Sequence, residues 1–155
     1  MTDSQRCFAA YGNPSLPAFA AQWLVRHPLP LAVRPFFPAF AGKPITALYL
    51  HRLAAPALDK VLLELVATGL ARELRTYDGC WAVRCKRGLA EYSIHSWGLA
   101  LDFNAALNPL GRPKGGPGMW SEAFLNVWRR HGWTCGADWK ARPDGMHFQY
   151  VPGAI

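Results

Sequence analysis

The 155-residue chain has only four cysteines and no long uninterrupted apolar run. The cysteines are scattered and lack the paired Cys-x-x-Cys spacing of a structural zinc site, which argues against a disulfide scaffold and a zinc ribbon. The longest apolar stretch, residues 61–70, is interrupted by Glu64 and falls short of the ~20 apolar residues that a membrane span requires. We therefore expect no membrane span and mostly buried thiols, with a Cys80–Cys85 pair as the alternative.

Acidic residues are also scarce, since 10 Asp and Glu stand against 17 Lys and Arg, for a formal net charge of +7. This excess favours a polyanionic partner, whether nucleic acid, an acidic membrane surface or an anionic cell wall. The basic residues are scattered and no nucleic-acid-binding motif is present, so we expect no nucleic acid partner. Gly12, Asn13 and Pro14 break the N-terminal apolar stretch, so we predict synthesis in the cytoplasm without a signal peptide.

Length and an apolar content of 51% suit one packed domain, which we predict over residues 1–155. Proline density in residues 1–50 predicts an arm that wraps the core, with only a short helix near residues 17–26. Apolar residues at helical spacing predict the main core helix from Pro56 to Leu74. Ser121 precedes a second helix, which His131-Gly132 closes.

Strand-forming residues predict a strand at residues 45–50, and alternating apolar and polar residues predict strands at residues 81–85, 99–104 and 146–151. Asp78-Gly79 is predicted as a turn, and the Gly/Pro-rich residues 105–118 as a long loop that could act as a mobile flap. These elements predict an α+β fold in which a small antiparallel sheet packs on helices and its other face is open to a cleft.

Two of the predicted strands have metal-ligating side chains on the face opposite their apolar residues. Asp102 lies on this face of one strand and His147 on this face of the other, so antiparallel pairing would bring them together. His95, in the loop that enters the first strand, can fold back as a third ligand. Two histidines and one aspartate are typical of catalytic zinc, although such a set could accept other divalent ions.

Two further residues could supply acid–base and electrostatic chemistry. Asp144 lies three residues before His147 and could act first as general base and then as general acid. Arg84 could stabilise an oxyanion or pair with a substrate carboxylate. Simpler interpretations stay open: Asp144 as a turn former before Gly145, and Arg84 as a solvated strand residue or salt-bridge partner.

The segment from Ser93 to Asp102 resembles the SxHxxGxAxD motif of the zinc D-Ala-D-Ala carboxypeptidases related to VanY and to phage L-alanyl-D-glutamate endolysins. The segment Asp144-Gly145-Met146-His147-Phe148 resembles their DxxHF motif. The similarity runs from about residue 56 to residue 150 and also includes residues 76–80, Arg84, Asn108-Pro109 and Gly132-Trp133. An aspartate at position 144 resembles the endolysin branch more than the dipeptidase branch, which has glutamate.

The resemblance implies a role for each matching residue. It implies that His95, Asp102 and His147 hold Zn²⁺, that Asp144 is the catalytic acid/base and that Arg84 stabilises the oxyanion. Ser93 would contact the substrate peptide. Trp133, like Trp97 and Trp139, is expected to be a core or cleft residue, with stacking on substrate as the alternative.

The implied function is hydrolysis of a peptide bond in the peptidoglycan stem by a monomeric zinc metallopeptidase. The bond could be L-Ala-D-Glu, as for an endopeptidase, or D-Ala-D-Ala, as for a carboxypeptidase. We expect a phage-type lysin that reaches the cell wall after release or as part of the virion. The alternative is a catalytically inactive, zinc-stabilised wall-binding protein of the same fold, against which the presence of Asp144 speaks.

Overall fold

A computed structural model describes residues 1–153, and this part of the chain has the predicted α+β fold. Its α-helices are α1 (Asp3–Tyr11), α2 (Pro17–Trp23), α3 (Ala55–Ala67) and α4 (Glu122–Arg130). Its strands are β1 (Leu24–Pro28), β2 (Ala47–His51), β3 (Tyr77–Gly79), β4 (Ala100–Phe103), β5 (Thr134–Cys135) and β6 (His147–Gln149). Within these residues no helix has both the length and the apolar character to cross a membrane. The domain predicted over residues 1–155 includes residues 154 and 155, which lie outside the described part.

The strands form two antiparallel sheets, one of β1 and β2 and one with the order β3-β4-β6-β5. The predicted pairing of the two ligand-bearing strands is confirmed, because β4 and β6 are antiparallel neighbours. In their register Asp102 lies directly opposite His147. One pair of adjacent strands therefore brings two candidate metal ligands together on one face.

The other face of the four-stranded sheet packs on helix α4. Phe148 of β6 stacks on Trp128 of α4 with ring centroids 4.2 Å apart, and Phe103 of β4 contacts the same indole at 5.9 Å. Ser121 caps α4, its Oγ accepting a hydrogen bond from the Phe124 amide at 3.2 Å, so the helix begins where the sequence predicts. Burial of each of these large side chains contributes about 1.5–3 kcal/mol and fixes which face of the sheet stays polar.

Helix α3 is the predicted core helix, although it ends earlier than its apolar spacing suggests. Pro56 lies in its first turn, and its buried face consists of Ala55, Ala57, Leu58, Val61, Leu62 and Leu65. The helix stops before Gly69, whose φ of 75° is left-handed and interrupts the α-helical backbone. The last predicted turn is instead a separate 3₁₀ helix, Leu70–Glu73.

Two predictions about residues 78–85 are wrong. Residues 77–79 form the edge strand β3, paired with β4 through an irregular register, where a turn was expected. Residues 81–84 form no strand, because their exposed alternating side chains have no partner strand, and only Cys85 makes an isolated bridge, to Tyr92. Alternation alone therefore overestimated the regular structure here.

The N-terminal region contains more regular structure than its proline content suggests. The short helix predicted near residues 17–26 is present as α2, but α1 was not predicted. Its signal is a capping box, in which Thr2 accepts from the Gln5 amide and the Gln5 side chain accepts from the Thr2 amide. Strand β1 was also missed; it pairs with the predicted strand β2.

All four cysteines are free thiols, so the alternative of a Cys80–Cys85 pair is wrong. Three are buried as expected, and Cys85 is exposed. Burial raises the pKa of Cys7 to about 12, with a further contribution from Asp3, which leaves that thiol unreactive near neutral pH.

Candidate metal centre

His95 is presented by a single turn of 3₁₀ helix, Ile94–Trp97, at the point predicted as a loop. The Ser93 hydroxyl accepts a hydrogen bond from the His95 amide at 3.4 Å and caps this turn. Gly98 ends it with a left-handed φ of 67°, and the Gly98 carbonyl accepts from the His51 amide of β2 at 3.0 Å. The turn is thus held at both ends, which orients the His95 imidazole.

The three predicted ligands meet in one cluster, with their ligand atoms all within 4.8 Å of one another. His95 Nε2 lies 3.1 Å from Asp102 Oδ2, and His147 Nδ1 lies 3.3 Å from Asp102 Oδ1. Zinc bound tetrahedrally at roughly 2.0–2.1 Å needs ligand atoms about 3.3 Å apart. The separations of the two histidine nitrogens from Asp102 therefore fit such an ion.

Two atoms of the candidate ligands have no hydrogen-bond partner. His95 Nε2 and Asp102 Oδ1 are buried without such a partner among the described residues. Buried polar atoms without a partner are costly, and a bound cation would satisfy both. The residues present thus fit a divalent metal ion.

In both histidines, the ring nitrogen that does not face the cluster has a hydrogen-bond partner. His95 Nδ1 lies 2.6 Å from the Cys80 carbonyl, to which it donates, an arrangement that leaves Nε2 as the ligating atom. His147 Nε2 lies 2.9 Å from Gln149 Oε1, an arrangement that leaves Nδ1 as the ligating atom. Partners of this kind fix the tautomer and orientation of metal-binding imidazoles.

The three groups also control each other's protonation. Burial alone would raise the pKa of Asp102, but the contacts of His147 and then of His95 outweigh it and hold this pKa far below its usual value. Burial would lower the pKa of His147, but the neighbouring Asp102 carboxylate raises it above the usual value. An ionised carboxylate between two imidazoles gives the cluster the negative charge that attracts a cation.

Asp144 lies in the same cleft, at the turn that leads into β6. Its carbonyl accepts from the His147 amide at 3.0 Å, and its own amide donates to the Gly136 carbonyl at 2.9 Å. A side chain at Gly136 would collide with the Asp144 backbone, so glycine allows this close approach. The buried Asp144 Oδ1 has no hydrogen-bond partner within residues 1–153. Burial, and then repulsion from Asp102, raises the pKa of Asp144, which suits a group that exchanges protons.

The cluster opens into a cleft of about 330 Å³. Ser93, Arg84 and Asp144 line it together with the three candidate ligands. Arg84 is exposed and belongs to the irregular segment 81–84, not to the strand that was predicted for it.

The tryptophans divide between cleft and core. Trp139 lines the cleft with its ring 5.4 Å from that of His147. Trp133 is instead 3% exposed and packs on Trp128 and Tyr150, away from the cleft-lining residues. Trp97 is fully buried. Trp139 is therefore better placed than Trp133 to contact a ligand in the cleft.

Several cleft residues did not emerge from sequence reasoning. Alternation does place Gln149 on the same strand face as His147, two residues further on, but it gave Gln149 no role in the cleft. Asp3, Lys86, Arg87 and Arg142 also line the cleft. No local signal could have found Asp3, because its position depends on the packing of α1.

Residues 87–150 match a family model described as D-alanyl-D-alanine carboxypeptidase, of the VanY-like M15 peptidases. No curated protein and no solved structure is significantly similar to the chain. The family match contains all three clustered ligands and Asp144, and it confirms the resemblance to the VanY-like peptidases that the sequence motifs predict. Residues 87–150 are thus similar to the VanY-like peptidases, and the motifs on either side of the cleft lie within this match.

Proposed function

We propose that this chain is a zinc-dependent metallopeptidase that hydrolyses a peptide bond in the peptidoglycan stem. The observation that carries the proposal is the convergence of His95, Asp102 and His147 beside an unpartnered carboxylate, Asp144, in one cleft. The family match supports a peptidase that acts on peptidoglycan. Zinc, when bound by the three ligands, supplies a Lewis acid that lowers the pKa of water to about 7.

The proposed reaction uses Asp144 as the proton carrier. Its carboxylate accepts a proton from the attacking water and then donates it to the nitrogen of the leaving amine, so that the C–N bond breaks and a new C–O bond remains. A raised pKa helps the second step, because the carboxyl group holds its proton more readily than an ordinary aspartic acid does. Asp144 thereby serves as base and acid within one turnover.

Arg84 and Ser93 are proposed to act on the substrate. The exposed Arg84 guanidinium at the cleft can move to the developing oxyanion or pair with a substrate carboxylate. Ser93 is 5% exposed, and its hydroxyl already caps the turn that holds His95, so its effect on substrate is partly one of positioning. The alternative in which Trp133 stacks on substrate has no support from its position in the core.

Within this class we favour an L-Ala-D-Glu endopeptidase of the phage lysin type over a D-Ala-D-Ala carboxypeptidase. The support is the aspartate at position 144, which resembles the endolysin branch. A catalytically inactive wall-binding protein would have no need for a buried carboxylate with a raised pKa beside the metal ligands.

The decisive experiment is mass spectrometry of muropeptides after purified peptidoglycan is digested with the zinc-loaded protein. Loss of the whole stem after L-Ala would show the endopeptidase, and release of free D-Ala would show the carboxypeptidase. The same digestion with the chelated protein is the control. If the zinc-loaded, folded protein leaves every stem intact, the proposal is wrong.

A further inference from the structure

The N-terminal helix reaches the candidate metal centre through one glutamine side chain. Asp3, the first residue of α1, accepts a hydrogen bond at its Oδ2 from Gln149 Nε2 at 2.7 Å. The other end of the same amide, Gln149 Oε1, lies 2.9 Å from His147 Nε2. Gln149 is 2% exposed, so water does not compete for these contacts. Asp3 and the candidate ligand His147 thus share the buried amide of Gln149, which lies 146 positions from Asp3 in the sequence.

The chemistry of these three groups permits only one arrangement of hydrogen atoms. An ionised carboxyl group can only accept, so the amide nitrogen of Gln149 must face Asp3. Its oxygen then faces His147, and an amide oxygen can only accept, so His147 Nε2 must bear the hydrogen. When the imidazole is neutral, as it is when it binds a metal, His147 Nδ1 is left with a lone pair at the cluster, 3.3 Å from Asp102 Oδ1.

We propose that Asp3 is a positioning residue of the metal centre, which sets the Gln149 amide and through it the tautomer of His147. This inference rests on the proposed function, because it takes His147 to be a zinc ligand. The two ends of an amide are nearly equal in size, so Gln149 could flip if Asp3 were absent. A flipped amide would offer N–H groups to His147 Nε2 and favour the tautomer with hydrogen on Nδ1, which blocks the ligating position.

Helix α1 is held firmly enough to perform this role. The Ser4 hydroxyl donates to the Tyr92 carbonyl at 2.6 Å, and the indole of Trp97, in the turn that bears His95, donates to the Gly12 carbonyl at 2.9 Å. The Thr2 side chain donates to Glu91. Both ends of α1 are therefore attached to residues 91–97, next to the cluster, and Asp3 has little freedom to move away.

The test compares zinc affinity in Asp3→Ala and Arg6→Ala, measured by competition with a chromophoric chelator. Arg6→Ala is the matched control, since it removes the 3.0 Å ion pair of Arg6 with Asp3 but keeps the carboxylate. Loss of a partner behind a metal-binding histidine typically costs 10- to 100-fold in metal affinity. We expect this loss in Asp3→Ala and less than a threefold change in Arg6→Ala.

A second substitution separates positioning from mere helix stability. Gln149→Glu, added to Asp3→Ala, places at position 149 a carboxylate that accepts from His147 Nε2 and cannot flip into a donor. We expect this double variant to regain the zinc affinity of the original protein to within threefold. A purely structural role of Asp3 predicts no such rescue.

The tautomer of His147 can be measured directly, in the absence of metal and substrate. Long-range ¹H–¹⁵N NMR spectra of the metal-free protein at alkaline pH report which nitrogen of His147 bears hydrogen. We expect Nε2–H in the original protein, a shift toward Nδ1–H in Asp3→Ala, and Nε2–H again in the double variant. An unchanged tautomer in Asp3→Ala, or affinity loss without rescue, would overturn the inference. This readout stands even if the protein cleaves no stem peptide, so the two proposals fail separately.

Discussion

The N-terminal and C-terminal regions of the molecule contribute to the cleft in different ways. Residues 93–149 supply every candidate metal ligand and Asp144, from a turn, two adjacent strands and the approach to the second strand. Residues 1–52 supply no candidate ligand, but their helix α1 contacts the ligand shell through Asp3. The candidate ligands and Asp144 therefore lie close together in the sequence, whereas one residue that orients them, Asp3, lies far from them in the sequence.

Buried histidines show the same contrast. His51 of β2 is fully buried among the rings of Tyr11 and Trp23, at centroid distances of 4.4 and 5.1 Å. Burial, and then the charge of Arg52, lowers its pKa to about 4, so it is a neutral core residue. His147 is also buried, but Asp102 raises its pKa. Burial alone therefore does not distinguish a ligand; the neighbouring carboxylate does.

The largest expected effect comes from removing a ligand in the C-terminal region. His147→Ala should abolish stoichiometric zinc binding and reduce peptidoglycan hydrolysis by roughly 10³-fold or more, because the metal supplies several kcal/mol of transition-state stabilisation. His27→Ala is the control in the N-terminal region, where His27 pairs with Asp59 at 2.8 Å. Elemental analysis and muropeptide release measure both variants. Full zinc content in His147→Ala would contradict the ligand assignment.

The next largest effect should come from Asp144→Asn, which keeps the shape of the side chain but removes its ability to accept a proton. We expect kcat to fall roughly 10²- to 10⁴-fold, the usual contribution of general acid–base catalysis, with zinc still bound. Asp59→Asn, on α3 and outside both regions, is the matched control. Asp144→Asn with unchanged kcat would show that Asp144 is only a turn former.

The pH profile of peptidoglycan hydrolysis by the original protein should agree with the proposed role of Asp144. Its raised pKa means that the carboxyl group stays protonated to a higher pH than an ordinary aspartic acid. As a general base it must be ionised, so the acid limb of kcat/KM should lie at higher pH than the usual carboxyl range. A limb at or below that range would contradict the assignment.

A smaller effect, on the free energy of unfolding, should follow from a substitution at Gly98, where the two regions are in contact. A side chain at Gly98 would lie 2.7 Å from Leu24 Cδ2 and 2.9 Å from the His51 amide nitrogen, both in the N-terminal sheet. Gly98→Ala should therefore destabilise the protein by about 1–3 kcal/mol beyond the backbone strain and should weaken zinc binding through His95.

Gly88→Ala isolates that backbone strain. Gly88 has a φ of 73°, close to the 67° of Gly98, but nothing lies within 4 Å of the added atom. Denaturant unfolding of both variants gives the difference in free energy of unfolding. Equal destabilisation of the two would show that the contact between the regions is unimportant.

Much of the ligand-bearing region follows from local sequence patterns, because alternation predicts faces of strands. The apolar positions around Asp102 and His147 identified the face on which each side chain lies, and their strands are indeed neighbours. Irregular segments were harder, as Trp81 to Arg84 show, because whether alternation becomes a strand depends on a neighbour to pair with.

The contribution of α1 could be predicted only in part. The capping box of Thr2 and Gln5 is a local signal for a helix at this position. That the helix would bring Asp3 to Gln149 depends on tertiary packing, which no periodicity encodes. Local patterns therefore identify the reacting groups sooner than the groups that orient them.

Arg84, Arg87 and Arg142 give the mouth of the cleft three exposed guanidinium groups. Positive charges around a cleft concentrate the electrostatic potential inside it. This potential raises the association rate of negatively charged molecules. Dissolved salt weakens such attraction beyond a distance of about 8 Å at physiological ionic strength. Capture of an anionic wall fragment should consequently slow as salt is added, while the rate of bond cleavage after capture stays the same.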